Sequence, residues 1–206
     1  MHRPYGRFFY IPRTLAQLGH HVSVLVFSYQ NDPTEHRQID GMDWYSVSLR
    51  PWRAGMGLVE YQTRARELIQ STSPDWVVGL SDTWYGILAQ HLGARYGIKT
   101  VVDAYDNYES YLPGAKPLHW AWRRACSNAT LLTAPGPDLI AKLVNSRSTS
   151  RTCIIPMSAD PQFKPLSRDH CRDEFSLPRE LTLVGYCGSF YQNRGINQLL
   201  EALSIL

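Results

Sequence analysis

Apolar residues in this chain follow two alternating patterns. Short runs rich in β-branched and aromatic residues, His21–Phe27 (HVSVLVF), Met42–Leu49, Trp76–Leu80 (WVVGL), Thr100–Asp103, Leu131–Thr133 and Thr152–Ile155, predict buried strands. Between them, Leu58, Tyr61, Ala65, Leu68 and Ile69, and then Trp84, Ile87, Leu88, His91 and Leu92, recur at helical spacing. Further helices are expected at Arg7–Leu18, Leu118–Ser127 and Pro137–Val144. Pro12 inside the first costs about 3 kcal/mol unless the helix kinks or starts there, and Gly19 stops it. Strands that alternate with helices predict βαβ units: a doubly wound parallel sheet with helices on both faces. His91, on an apolar face, reads as a core histidine, and His20 and His21 as turn residues.

The stretch IPMSADPQFKPLSRD carries three prolines and no periodicity, so it reads as a linker. It divides residues 1–160, one Rossmann-like domain, from residues 161–206, the linker and start of a second domain. There a helix is expected at Arg168–Phe175, then a buried strand at Leu181–Tyr186, a loop opened by Gly188 and a helix from about Gly195. Ile196, Leu199, Leu200 and Leu203 give that helix one apolar face. A glycine at a strand end, a helix N-terminus and the cation of Arg194 suit a phosphate, although an ordinary turn with an exposed arginine has the same look. A helix before the first strand, and an end inside a strand–loop–helix unit, read as truncation at both ends.

The 206 residues, 44% hydrophobic and 19% charged, are the composition of a globular protein. The net charge of +3 shows no basic stripe interleaved with aromatics, so nucleic acid is not an expected partner. Cys126, Cys153, Cys171 and Cys187 form no CxxC pair, which argues against zinc. Cys153 and Cys187 fall in predicted strands and are expected as buried, reduced thiols of a cytoplasmic protein. No apolar run spans a bilayer, and the N-terminus lacks a signal-peptide core. Peripheral contact with the inner membrane face is one use for Arg3, Arg7 and Arg13 with Phe8, Phe9 and Tyr10, or for His119–Ala125; ordinary helix faces are the other. No P-loop, GxGxxG or Ser/His/Asp arrangement can be placed.

Three segments carry a family resemblance. RFFYIPRTLAQLGHHVSVLV is similar to the first helix and second strand of GT-B glycosyltransferases of the large retaining family 4. CIIPMSADPQFKPL resembles that family's "viPNGvDlerFkP" crossover between its two Rossmann-like domains. LVGYCGSFYQNRGINQLLEAL resembles its "lfvGRLxxxKGxdxLlxAl" segment, which opens the donor-binding domain. The chain departs from the pattern at Met157-Ser158-Ala159, where Asn-Gly-Val is usual, at Ser189 for the usual Arg, and at Arg194 for the usual Lys. The family's paired-glutamate motif lies further downstream.

The resemblance implies transfer of a sugar from a nucleotide diphosphate sugar to a hydroxyl of a glycan, lipid or small molecule, with retention. It implies no metal and no cofactor beyond the co-substrate, and no activity for this stretch by itself. The alternative is a non-catalytic acceptor-binding half that pairs with a separate donor-domain chain. Gly188, Ser189 and Arg194 would meet the donor diphosphate. Ligands of doubly wound sheets collect beyond the carboxyl ends of strands. The loops there give Gly6, Ser81, Asp82, Asp103 and Tyr105 for the acceptor and Asp106 as the catalytic carboxylate; Asp103 and Asp106 equally suit a turn at a strand end.

Overall fold

The computed structural model describes residues 6–28, 35–48, 54–145, 148–160, 163–188, 190 and 194–205. The chain forms two compact units, Met1–Asp160 and Pro161–Leu206.

The first unit opens with α1 (Arg7–Gln17), which runs unbroken through Pro12. It is followed by β1 (Ser23–Ser28), β2 (Glu35–Ile39) and β3 (Met42–Ser48). These form a three-stranded sheet ordered β1-β3-β2, with β1 parallel and β2 antiparallel to β3. The polar strand β2 (EHRQI) has no hydrophobic alternation to announce it. Its cause is the turn: Asp40 (φ 49°) and Gly41 (φ 80°) are both left-handed, as a type I′ hairpin requires, and they pair Ile39 with Met42.

The rest of the unit alternates as expected: α2 (Ala54–Thr72), β4 (Trp76–Gly79), α3 (Thr83–Tyr96), β5 (Lys99–Asp103), α4 (Lys116–Asn128), β6 (Leu131–Ala134), α5 (Pro137–Leu143) and β7 (Arg151–Ile154). The four strands form a fully parallel sheet in the order β4-β5-β6-β7. The parallel α/β architecture is therefore present, with its strands divided between two sheets. Phenol groups meet the edge of β1 that faces away from β3. Tyr61 of α2 donates to the Leu25 carbonyl at 2.9 Å, and the Phe27 amide donates to the Tyr85 hydroxyl at 3.2 Å.

Two close approaches fix α3. A Cβ on Gly86 would lie 2.5 Å from the Trp122 ring, and one on Gly79 2.4 Å from the Tyr85 carbonyl oxygen. Helix and strand touch here because no side chain intervenes. Trp122 is 1% exposed and packs with Val102, Ala104, Cys126 and Leu132. Phe9, Met42 and Trp44 form a separate core beneath α1, and Ala65, Ile69 and Leu92 a third between α2 and α3.

Three burial expectations are corrected. His91 is exposed, on the rim of α3 rather than in its core. Cys153 is exposed because β7 is the edge strand of its sheet. Cys187 is exposed too.

The second unit contains α6 (Arg168–Glu174), whose Ser167 cap accepts from the His170 amide, and α7 (Ile196–Leu203). The strand expected at Leu181–Tyr186 does not form, and Leu181 and Val184 stand exposed. A parallel strand needs ladder partners for its amides and carbonyls. Among the described residues of this unit there is no second strand to supply them.

Candidate functional site

The loops that leave the carboxyl ends of β4 and β5 hold most of the residues expected at the acceptor side. After β4, Ser81 has φ 79°, a conformation costly for any residue with a Cβ. Asp82 then occupies the N-cap of α3, yet its side chain makes no capping hydrogen bond. Gly6 precedes α1 with φ 79°, and its carbonyl accepts from the Phe9 and Tyr10 amides at 3.0 Å each.

Asp103 ends β5 inside the protein. The Arg7 fork donates Nε to Oδ2 and Nη2 to Oδ1, each at 2.7 Å, and the Thr133 hydroxyl also donates to Oδ1. The Arg7 and Asp103 side chains are 6% and 1% exposed, so this carboxylate faces an internal partner and not a solvent-filled cleft.

The chain then runs through Tyr105, Asp106 and Asn107 into a 3₁₀ turn at Tyr108–Ser110. Asp106 Oδ1 accepts from the Asn107 amide at 2.7 Å, and Oδ2 accepts from the Tyr111 hydroxyl. The aspartate thus shapes its own loop while its side chain stays partly open. Lys142 of α5 donates to Asn107 Oδ1 at 3.0 Å, and Arg123 of α4 forks onto both Glu109 oxygens at 2.6 Å. Pinned from two helices, the loop borders an open depression of about 340 Å³, lined among others by Tyr105, Asp106, Asn107, Asp138 and Lys142.

Tyr108 lies at the centre of the predicted residues. Its ring stands edge-on to Trp122 at 5.6 Å and to Tyr105 at 5.7 Å. Its hydroxyl is buried without a hydrogen-bond partner among the described residues. Burial pushes the phenol far above its ordinary pKa, and Tyr105 and the carboxylates of Asp82, Asp103 and Asp106 push it the same way. The phenol thus stays protonated next to the Tyr105 ring.

The other predicted cluster belongs to the second unit. Gly188 and Arg194 are exposed, and Arg194 immediately precedes Gly195, the left-handed N-cap of α7. Ser189 lies outside the described residues, as do the residues immediately after Ser28. A second cavity of about 310 Å³ is apolar and lies between α2 and α3, lined by Phe27, Tyr61, Trp84, Tyr85 and Leu88 with others.

The family model for a glycosyl transferase 4-like domain matches residues 10–157. The chain belongs to that family. No curated protein matches it. As a member of the glycosyl transferase 4-like family, the protein is a glycosyltransferase whose substrates are in general a sugar donor and an acceptor. Among the described residues no helix is long and apolar enough to cross a membrane.

Several residues around these loops were not singled out from the sequence. The N-terminal helix does not present Arg7 on a basic surface: the Arg7 side chain is buried, Phe9 lies in the core, and Arg13 pairs with Asp40 at 2.8 Å. The available signal was a cation in the first turn of a helix, which the dipole disfavours unless an anion waits nearby. Lys142 gave no signal, because the register that brings α5 beside the loop is long-range; Tyr108 belongs to the aromatic loop after β5, and only its burial was hidden from the sequence.

The Glu109–Arg123 fork makes the loop's stability depend on pH. The hydrogen bonds from Arg123 hold the Glu109 carboxyl below its usual range. A depressed carboxyl contributes stability above its unfolded pKa of about 4.3 and loses it as pH falls through the folded value. Arg123 is 53% exposed, so the contribution is at most about 1 kcal/mol. Thermal melts should therefore separate Glu109→Gln from the wild type by roughly 2–4 °C at neutral pH. The two should converge below the pH at which Glu109 protonates.

Proposed function

We propose that this glycosyltransferase moves a sugar from a nucleotide diphosphate sugar to a hydroxyl of a glycan, lipid or small-molecule acceptor, with retention at the anomeric carbon. The observation that carries the reading is the depression after β5, where Asp106, Asp138, Tyr105 and Asn107 line one opening. Carboxylates and amides of this kind accept and donate to sugar hydroxyls, and a phenol ring gives a face for the sugar's C–H surface. Family membership supports the chemistry, and the loop's pinning by Arg123 and Lys142 supports a preorganised site.

Asp106 holds the acceptor hydroxyl through a hydrogen bond to its carboxylate, in exchange for the Tyr111 contact. That bond orients the oxygen lone pair toward the anomeric carbon. In the second unit, Gly188 lets backbone approach the diphosphate, Ser189 offers a hydroxyl, and Arg194 places a fixed cation near the leaving charge. No metal is called on. A cytoplasmic setting suits a nucleotide sugar donor. The exposed Trp120, with the Arg124 guanidinium 5.7 Å from its ring, supports surface contact where the acceptor is lipid-linked.

Titration with a panel of methyl glycosides, followed by ligand-observed NMR, tests the acceptor assignment. Asp106→Asn should weaken the best-bound glycoside roughly 10-fold, as loss of a charge-assisted hydrogen bond predicts. Equal binding by wild type and variant would remove Asp106 from the site, and no binding by the wild type would remove the site.

A further inference from the structure

We propose that Arg7 is a positioning residue that locks the chain's exit from β7 to the loop after β5. Its guanidinium touches two segments that meet nowhere else on this side chain. One edge forks onto Asp103, from which the loop bearing Tyr105 and Asp106 departs. Nη1 turns the other way and donates to the carbonyl of Ile155, with the Pro156 carbonyl 3.5 Å away.

The geometry at Ile155 explains why such a clamp is needed. The Ile155 amide donates to the Ala134 carbonyl at 2.9 Å, the last bond of the β6–β7 pairing. Pro156 has no amide with which to extend the ladder. From there the chain leaves the sheet, and only the carbonyl side of Ile155 remains to fix its direction. Arg7 takes that side. It can do so because it starts α1, where a cation is disfavoured, and because Asp103 repays the burial of the charge. Thr133 of β6 completes the set by donating to the same carboxylate, so α1, β5, β6 and the end of β7 share one polar knot. Buried donors need acceptors, and here the third one is met by the backbone that leaves β7.

Hydrogen exchange on the full 206-residue chain tests this, read residue by residue in wild type, Arg7→Met and Arg7→Lys. In Arg7→Met, the Ile155 amide should exchange at least about 10-fold faster, as loss of roughly 1.4 kcal/mol of local protection implies. The Val102 and Leu132 amides in the middle of the sheet should keep their protection. Lysine keeps the charge opposite Asp103 but has no fork, so Arg7→Lys should fold and still lose protection at Ile155. Unchanged exchange at Ile155 in Arg7→Lys, or a uniform rise across β5 and β6 in that variant, would overturn the proposal, whether or not Arg7→Met folds.

Discussion

Trp122→Ala should lower the stability of the first unit by about 4 kcal/mol, the usual cost of emptying a buried indole site. The ring is 1% exposed and lies against Val102, Cys126 and Leu132. It also supports the functional loop directly, since the Tyr108 ring stands on it at 5.6 Å. The variant should therefore melt roughly 8–16 °C lower. It should also lose glycoside binding at temperatures where it is still folded, because the loop has lost its floor. Differential scanning calorimetry combined with the glycoside titration separates the two effects. A loss of stability with binding intact would show that Tyr108 does not transmit the packing to the loop.

Gly79→Ala should be nearly as damaging for a different reason. The added methyl would sit 2.4 Å from the Tyr85 carbonyl oxygen and 2.6 Å from Gly86 Cα, both backbone atoms of α3. Neither can swing aside as a side-chain tip could, so helix and strand must part. Overpacking of this kind costs about 3 kcal/mol, roughly 6–12 °C in melting temperature. It also tilts the end of β4 from which Ser81 and Asp82 depart. Gly114→Ala is the control, because nothing lies within 4 Å of its added methyl; it should melt within about 2 °C of wild type. A tolerated Gly79→Ala would mean that α3 sits less tightly on β4 than described.

Most of the first unit could be read from its apolar pattern, because buried parallel strands and one-sided helices both leave a period in the sequence. Helix α3 is one example: Ile87, Leu88 and Leu92 face inward at the spacing that predicted it. What the pattern could not show was local or long-range in origin. Strand β2 exists through the Asp40-Gly41 turn, a two-residue signal between polar segments. The Leu181–Tyr186 segment has the apolar run of a strand, but no partner strand lies beside it among the described residues of its unit. Cys153 falls in a run with the pattern of a buried strand, and the order of the sheet makes that strand an edge.

The candidate site divides in the same way. Asp82, Asp103, Tyr105 and Asp106 are candidates from the sequence because loops at carboxyl strand ends are where such folds hold ligands. Which of them faces outward cannot be read there. Asp103 and Asp106 are three residues apart, yet one is locked to Arg7 and Thr133 while the other borders an opening. That difference depends on an arginine 96 positions away, which no local pattern reports.

The most direct test of the acceptor-side assignment is amide chemical-shift mapping of the chain with the tightest methyl glycoside. Perturbed residues are expected to cluster at Tyr105, Asp106, Asn107, Asp138 and Lys142. Shifts confined to the apolar cavity around Phe27, Tyr61 and Trp84, or no shifts at saturating glycoside, would contradict it.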